Sequence, residues 1–318
     1  MNIVLLDSYT LNPGDLSWGP LETLGEFIRY ERTKPTDIIE RAKDAEIILT
    51  NKTVITKEII SSLKKLRYIG VLATGYNVID VDAARAAGVI VTNVPAYSTD
   101  SVAQTVFAHV LAHCQHVGDH DKAVHQGRWS DCKDFSYWDY PLIELADLTL
   151  GIVGLGHIGR AVGRIGYAFG MRVTAFNRSE LNDVPPYITM TSLAEIFNDS
   201  DIISINCALT AETEKMVSRK LIAQMKPSAR IFNASRGGII DEQGLADALN
   251  QGQIAGAGLD VLSTEPPSAD NPLLTAKNCT ITPHIAWATK AARGRCLRAV
   301  ADNIAAFIDG KPANVVNR

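Results

Sequence analysis

The 318 residues predict an α/β fold of two doubly wound parallel-sheet domains, one inserted into, or following, the other. Three observations lead there. Strand-like and helix-like stretches alternate along the chain, the pattern of a parallel sheet covered on both faces. A glycine turn, Gly154-Leu-Gly156-His-Ile-Gly159, stands at mid-chain between a strand and a helix, while residues 1–98 form an α/β stretch without one. A final helix over 288–309 is free to return to that first stretch. The expected division is 1–98 plus 287–318 for one domain and 99–286 for the other.

The elements follow in order. Residues 2–7 are strand-like, and 9–19, with Pro13-Gly14, read as a loop. A helix over 36–42 starts at Thr36, a strand covers 46–50, a helix 57–63, and a strand 68–72. The loop Ala73-Thr-Gly-Tyr-Asn77 comes next, then a short helix over 81–87 ended by Gly88, and a strand over 89–92. Residues 98–126 read as one long helix between the domains, capped by Ser98 or Asp100. A buried strand over 148–153 leads into the glycine turn. The helix after it, 160–169, places Val162, Ile165 and Phe169 on one face. Later strands are expected at 172–176, 202–206, 230–233, 256–260 and 280–282, with helices at 193–197, 218–225 and 242–251.

Composition narrows the function. The net charge of −4 gives no case for nucleic acid or an anionic membrane. No apolar run approaches the ~20 residues of a membrane span. Residues 1–7 lack a basic leader and read as a strand, not a signal. The five cysteines are scattered and never spaced CxxC, the pattern of reduced cytoplasmic thiols rather than a disulfide framework or zinc site.

A GxGxxG is weak alone, but between strand and helix it becomes a dinucleotide-binding fingerprint. Gly154 allows the tight turn, Gly156 lets backbone approach a pyrophosphate, and Gly159 lets helix and strand pack closely. The helix N-terminus offers free N–H groups to the anion, and His157 and Ile158, within the turn, are candidate cofactor contacts. Three later strand ends carry charge: Asn233-Ala-Ser-Arg-Gly-Gly238, Gly258-Leu-Asp-Val-Leu-Ser-Thr-Glu-Pro266 and Thr282-Pro-His284. In open α/β sheets the ligand crevice lies at the carboxyl ends of strands, so these converge. Arg236 can grip a carboxylate with two parallel hydrogen bonds. His284 can carry a proton near neutral pH, and Glu265 can hold its imidazole in orientation. Beside a nicotinamide, that set suits hydride transfer to a 2-keto acid.

With those motifs in hand, the chain resembles the D-isomer-specific 2-hydroxyacid dehydrogenase family over nearly its whole length. The matching stretches are Ala73-Thr-Gly75, Thr92-Asn-Val-Pro95, Ser101-Val-Ala-Gln-Thr105, the glycine turn, Leu209-Thr-Ala-Glu-Thr213, Asn233-Ala-Ser-Arg-Gly237, the run from Gly258 to Pro266 and the run from Thr282 to Thr289. The resemblance implies a Rossmann domain inserted into a flavodoxin-like substrate domain, and catalytic Arg236, Glu265 and His284. It implies that the N–H groups of Thr74 and Gly75 hold the substrate carboxylate. It places Asp260 and the backbone around Ala234 at the nicotinamide, and adds Thr105, Cys207, Ala208, Thr213 and Ala286 as candidate cofactor contacts. It also implies a homodimer formed through the long helix and the loop after it. Within the family the chain looks most like glycerate dehydrogenases, which reduce hydroxypyruvate, with glyoxylate as a second substrate. Lys52 is a further candidate for the substrate pocket.

The chain departs from the family where Gln104 replaces Glu, Asn206-Cys-Ala208 replaces His-x-Pro, and Ala286 replaces Gly. Roughly 20 residues past the glycines, an acidic residue would bind the NAD ribose. Asn177 stands there, followed by Arg178-Ser179, so NADP(H) is expected as well as NAD(H). Three rivals are a phosphoglycerate dehydrogenase without regulatory extension, a nucleotide-sensing co-repressor, and a formate dehydrogenase, against which Glu265 argues. His109, His113, His116 and His120 follow one helical stripe, which can hold zinc or nickel; the expectation is a polar contact stripe and no metal. The loop 127–142 is dense in aromatics and reads as a buried interface, with Trp138 reaching a neighbouring subunit's substrate crevice.

Overall fold

The structure, a computed structural model, describes residues 1–318. The chain divides into two compact units, Met1–Ser98 with Trp287–Arg318, and Thr99–Ala286.

The first unit holds five parallel strands: β1 (Asn2–Leu5), β2 (Glu26–Arg29), β3 (Ile47–Thr50), β4 (Tyr68–Val71) and β5 (Ile90–Thr92). Their order, β2-β1-β3-β4-β5, is the flavodoxin-like doubly wound one. Successive strand residues point to opposite faces, so each strand feeds two cores. Ile3, Leu5, Ile47 and Leu49 pack with Cys296, Leu297, Val300 and Ile304 of the helix Lys290–Ile308. Val4, Ile48 and Ile69 pack on the other face with Ile38, Ile60 and Ala84. The returning helix starts where the Thr289 side chain accepts from the Ala292 amide. It is also tied by the buried Arg293, which makes two 2.7 Å bonds to the Asp15 carboxylate. The chain end is paired: Asn317 accepts from Val91 N and donates to Val89 O.

The second unit holds seven parallel strands: β6 (Thr149–Val153), β7 (Arg172–Phe176), β8 (Ile188–Met190), β9 (Ile202–Ile205), β10 (Arg230–Asn233), β11 (Gly256–Leu259) and β12 (Cys279–Ile281). The order β12-β11-β10-β9-β6-β7-β8 reverses between β6 and β9, the switch point at which dinucleotides bind in Rossmann sheets. Val153 lies opposite Ile205, so the turn after β6 opens beside the end of β9.

Four expectations are corrected. Residues 98–126 are two helices, Thr99–Gln115 and Val117–His125, broken at His116, whose φ is +48°. The break reflects tertiary packing, the His116 ring stacking on Tyr140 at 4.4 Å, and no proline or glycine at 116 announces it. Residues 9–19 are not all loop, since short helices form at Ser8–Leu11 and Gly19–Glu22. The Thr36 start expected for the helix over 36–42 also differs, since a short 3-10 turn over Pro35–Asp37 precedes the helix Ile38–Ala42. Finally, β2 and β8 are edge strands that the pattern did not mark. Three of the four β2 residues are exposed, so it lacks the apolar run of a central strand.

Candidate active site

The glycine turn after β6 is built as close backbone packing. Gly154 has φ +95°, and a Cβ there would meet Asn206 and Cys207 backbone at 2.9 Å. A Cβ on Gly159 would meet Gly154 O at 2.1 Å, so only glycine lets the helix His157–Ala168 seat against the strand end. A Cβ on Gly156 would meet nothing within 4 Å, which leaves open space in front of the helix N-terminus. No side chain caps that terminus, so its N–H groups suit a phosphate group. This geometry fits a dinucleotide.

Around the turn, Asn177 at the end of β7 accepts from Leu155 N at 3.1 Å and donates to Ser179 O at 2.8 Å. Its amide shapes the loop where a ribose-binding carboxylate would stand. The exposed Arg178 pairs with Glu212 at 3.3 Å. Thr213 donates to Ala208 O at 2.7 Å, closing the loop after β9. Burial pushes the Cys207 thiol pKa up. Thr105 donates its hydroxyl back to Ser101 O within its helix.

The ends of β10, β11 and β12 lie side by side, Asn233 opposite Leu259 and Leu259 opposite Ile281. Their loops therefore leave the sheet together. Asn233 shapes the first: it accepts from Ser235 N and donates to Arg236 O. Arg236 is exposed, with one N–H on Ser235 O at 2.7 Å. At Gly237 a Cβ would meet Leu262 backbone at 1.9 Å, so that glycine brings the Arg236 loop against the one leading to Glu265. Glu242 pins the second loop by accepting from Ser263 N and Asn271 Nδ2. Glu265 Oε1 accepts from Leu262 N, and its Oε2 meets His284 Nδ1 at 2.5 Å.

His284 itself is held by backbone. It has φ +53°, rare for a residue with a side chain, and its N–H bonds to Asp260 O at 2.8 Å. The buried Asp260 carboxylate accepts from Ile285 N, Ala286 N and Thr282 Oγ1. Both of its oxygens are thus occupied by the loop that carries His284. Ala286 O accepts from Ser101 Oγ at 2.5 Å.

The histidine stripe is split by the break at 116. His109 and His113 are buried and share Thr280, whereas His116 and His120 lie against Tyr140. No group of three or more His, Cys, Asp or Glu side chains is arranged to hold a metal ion. In the aromatic loop Phe135 is 91% and Trp138 67% exposed in the single chain. In the first unit, the loop after β3 is gathered by Asp7, which accepts from Asn51 N, Lys52 N and Thr53 N at 2.6–2.8 Å. Thr74, after β4, donates to Val94 O at 2.9 Å.

Sequence reasoning missed the hydrogen bonds by which Asn233, Glu242, Thr282, His109 and Asp7 shape these loops. Only Asn233 carried a local signal, the Asn-x-Ser pattern of a side chain bonding the backbone two residues on.

A parallel sheet with a dinucleotide turn at its switch point, and an imidazole–carboxylate pair at the ends of later strands, defines a dinucleotide-dependent oxidoreductase. The family model described as D-isomer specific 2-hydroxyacid dehydrogenase, NAD binding domain, matches residues 107–286. A hydroxypyruvate reductase of Blautia hydrogenotrophica is 49% identical, covering 100% of both chains. A glycerate dehydrogenase of Methylorubrum extorquens is 38% identical over 92% of each. Among solved structures, an NADPH-dependent glyoxylate/hydroxypyruvate reductase of Sinorhizobium meliloti, in complex with NADP and malonate, superposes with a TM-score of 0.83 at 28% identity, over 99% of this chain and 96% of that one. The chain belongs to the D-isomer specific 2-hydroxyacid dehydrogenase family.

Proposed function

We propose that this chain reduces hydroxypyruvate to D-glycerate with a nicotinamide nucleotide, and takes glyoxylate as a second substrate. The observation that carries the reading is His284 Nδ1 against Glu265 Oε2 at 2.5 Å, at the carboxyl edge of the sheet. A carboxylate only accepts, so Nδ1 holds the proton of that bond, and Nε2 is assigned to the substrate. In reduction, Nε2–H gives its proton to the carbonyl oxygen; in oxidation, Nε2 takes the hydroxyl proton. Arg236 offers its guanidinium fork to the carboxylate. The nicotinamide, when bound, supplies the hydride. From the first unit, the N–H groups of Thr74 and Gly75 are assigned to the carboxylate, and Lys52 to the rest of the substrate. The relatives named hydroxypyruvate reductase and glycerate dehydrogenase support this choice of keto acid.

The nucleotide preference is assigned to both NAD(H) and NADP(H). Asn177 brings no charge to repel a 2′-phosphate, and Arg178 adds a cation beside it. Asn177→Asp is expected to shift the ratio of kcat/KM values toward NADH by about tenfold, the size of one charge-assisted contact; an unmoved ratio removes position 177 from recognition. A homodimer covering Trp129, Phe135 and Trp138 is assigned from their exposure on one loop, and sedimentation tests it. No helix is long and apolar enough to cross a membrane. The free cysteines favour a cytoplasmic location.

The deciding experiment is a panel of hydroxypyruvate, glyoxylate and 3-phosphohydroxypyruvate, each with NADH and NADPH. Turnover highest with hydroxypyruvate is expected. Preference for the phosphorylated acid, or nucleotide binding without turnover, overturns the reading in favour of a phosphoglycerate dehydrogenase or a sensor.

A further inference from the structure

We propose that His109 is a positioning residue for His284, acting through Thr282 and Asp260. The inference rests on the assignment of His284 as proton donor. A continuous hydrogen-bonded chain runs from the helix Thr99–Gln115 to the loop after β12. His113 Nε2 meets Thr280 Oγ1 at 3.1 Å, and the same hydroxyl meets His109 Nδ1 at 2.7 Å. His109 Nε2 meets Thr282 Oγ1 at 3.1 Å, and Thr282 donates to Asp260 Oδ1 at 2.6 Å. Asp260 then grips Ile285 N at 2.9 Å and Ala286 N at 2.8 Å, while its own carbonyl accepts the His284 amide.

The direction of the protons between Asp260 and Thr280 follows from one end. The Asp260 carboxylate only accepts, so the Thr282 hydroxyl donates to it, and its oxygen accepts from His109 Nε2–H. Burial lowers the pKa of both histidines, His113 to about 4, which keeps the rings neutral near pH 7. Neutral His109 with a proton on Nε2 has an acceptor at Nδ1. Thr280 therefore donates there. The Thr282 hydroxyl is used once as donor and once as acceptor. The chain thus fixes the orientation of the Asp260 carboxylate.

That orientation matters because His284 sits at φ +53°, a strained backbone state that persists only when its surroundings impose it. The constraint comes from Asp260 on the following two amides. Removing Thr282 Oγ1 or His109 Nε2 frees the carboxylate to rotate and the imidazole to leave its line to the carbonyl oxygen.

The test compares Thr282→Val and His109→Leu with the conservative Thr282→Ser and His109→Gln, whose side chains keep a hydroxyl and a donor at the Nε2 position. The first two are expected to lower kcat at least tenfold with the nucleotide KM changed less than threefold. The conservative pair is expected to recover kcat to within threefold. Unchanged kcat in Thr282→Val and His109→Leu overturns the proposal, as does an equal loss in all four variants or a fall in thermal stability alone. Should the apolar variants not fold, ¹⁵N shifts of the unaltered protein decide: Nε2–H on His109 supports the chain, and Nδ1–H on His109 overturns it. If the unaltered protein turns over no 2-keto acid, the functional reading fails, while the ring tautomers still report on the chain.

Discussion

The carboxyl edges of the two sheets are each organised by one aspartate, and the two are built differently. In the first unit Asp7, two residues past β1, gathers three consecutive amides after β3 and the hydroxyls of Thr50 and Thr53. In the second unit Asp260, the residue after β11, gathers two amides after β12 and one threonine hydroxyl. Both meet the same physical need. A loop leaving a parallel strand has amides with no ladder partner, and a charged acceptor satisfies several at once. The difference lies behind the carboxylate. The Asp7 cluster holds no imidazole, whereas Asp260 is backed by Thr282, His109 and His113. A simple clamp orders the loop carrying Lys52; a backed clamp fixes the loop carrying His284. On the role proposed for His284, the need for angular precision is greater at the second clamp.

The contrast is broken first by exchanging the carboxylate for an amide. Asp260→Asn places an NH2 group against one of two amide donors, and the His284 loop must shift. Since a displacement of about 1 Å costs roughly 10²-fold in rate, kcat is expected to fall by about that factor with nucleotide affinity retained. Steady-state kinetics with a fluorescence titration of NADH checks it. A drop in affinity with kcat intact would assign Asp260 to nucleotide binding and make the comparison with Asp7 superficial.

Acid sharpens the contrast, because only the second clamp rests on imidazoles. His113 is buried, and its pKa is depressed from the usual 6.5 to about 4. The unfolded chain therefore binds a proton that the folded one refuses between those values. Stability contributed by the neutral ring is present above pH 6.5 and is lost as pH falls toward 4. The shift corresponds to on the order of 3 kcal/mol. Denaturant melts from pH 7 to 4 are expected to show that loss in the unaltered protein and a flatter profile in His113→Gln. Parallel profiles would mean that the ring is charged when folded or solvated.

The legible parts of this molecule were those with local causes. β3, β4, β6 and β9 announce themselves because both faces are buried and every position is filled with apolar or small residues. The glycine turn was legible because backbone contacts at Gly154 and Gly159 exclude any side chain. Arg236, Glu265 and His284 stood out as charged groups at expected strand ends. Edge strands β2 and β8 were not legible, since most of their residues are exposed and neither carries an apolar run. The break at His116 was not, because an aromatic stack from residue 140 competes with helix continuation. The clamps were hidden for the same reason: Asp7 lies 44 residues from Asn51, and His109 lies 173 from Thr282. A histidine stripe at helical spacing looked like one surface. The structure turns two of its rings into the core and two toward the aromatic loop, a division that spacing alone does not contain.

The smallest effect is expected at Asp7, and it gives the comparison its sharpest form. Asp7→Asn still fills the buried position, but it offers one acceptor oxygen where the carboxylate offers two, and it points an NH2 group at amides that can only donate. The segment Asn51-Lys52-Thr53 loosens as a result. Another tie, Asn51 Nδ2 to Leu72 O at 2.7 Å, keeps it near the end of β4. The loop therefore shifts but does not unfold. If Lys52 takes part in holding the substrate, KM for the keto acid rises by about tenfold while kcat stays within about threefold, the signature of lost ground-state binding. Lys52→Ala measured alongside is expected to reproduce the KM change, and the double variant to add little to it, because both act on one loop. A fall in kcat equal to that of Asp260→Asn would show that the two clamps serve the proton-transfer step alike. Unchanged kinetics in both single variants would remove the β3 loop from substrate recognition and leave Asp7 with a purely architectural task.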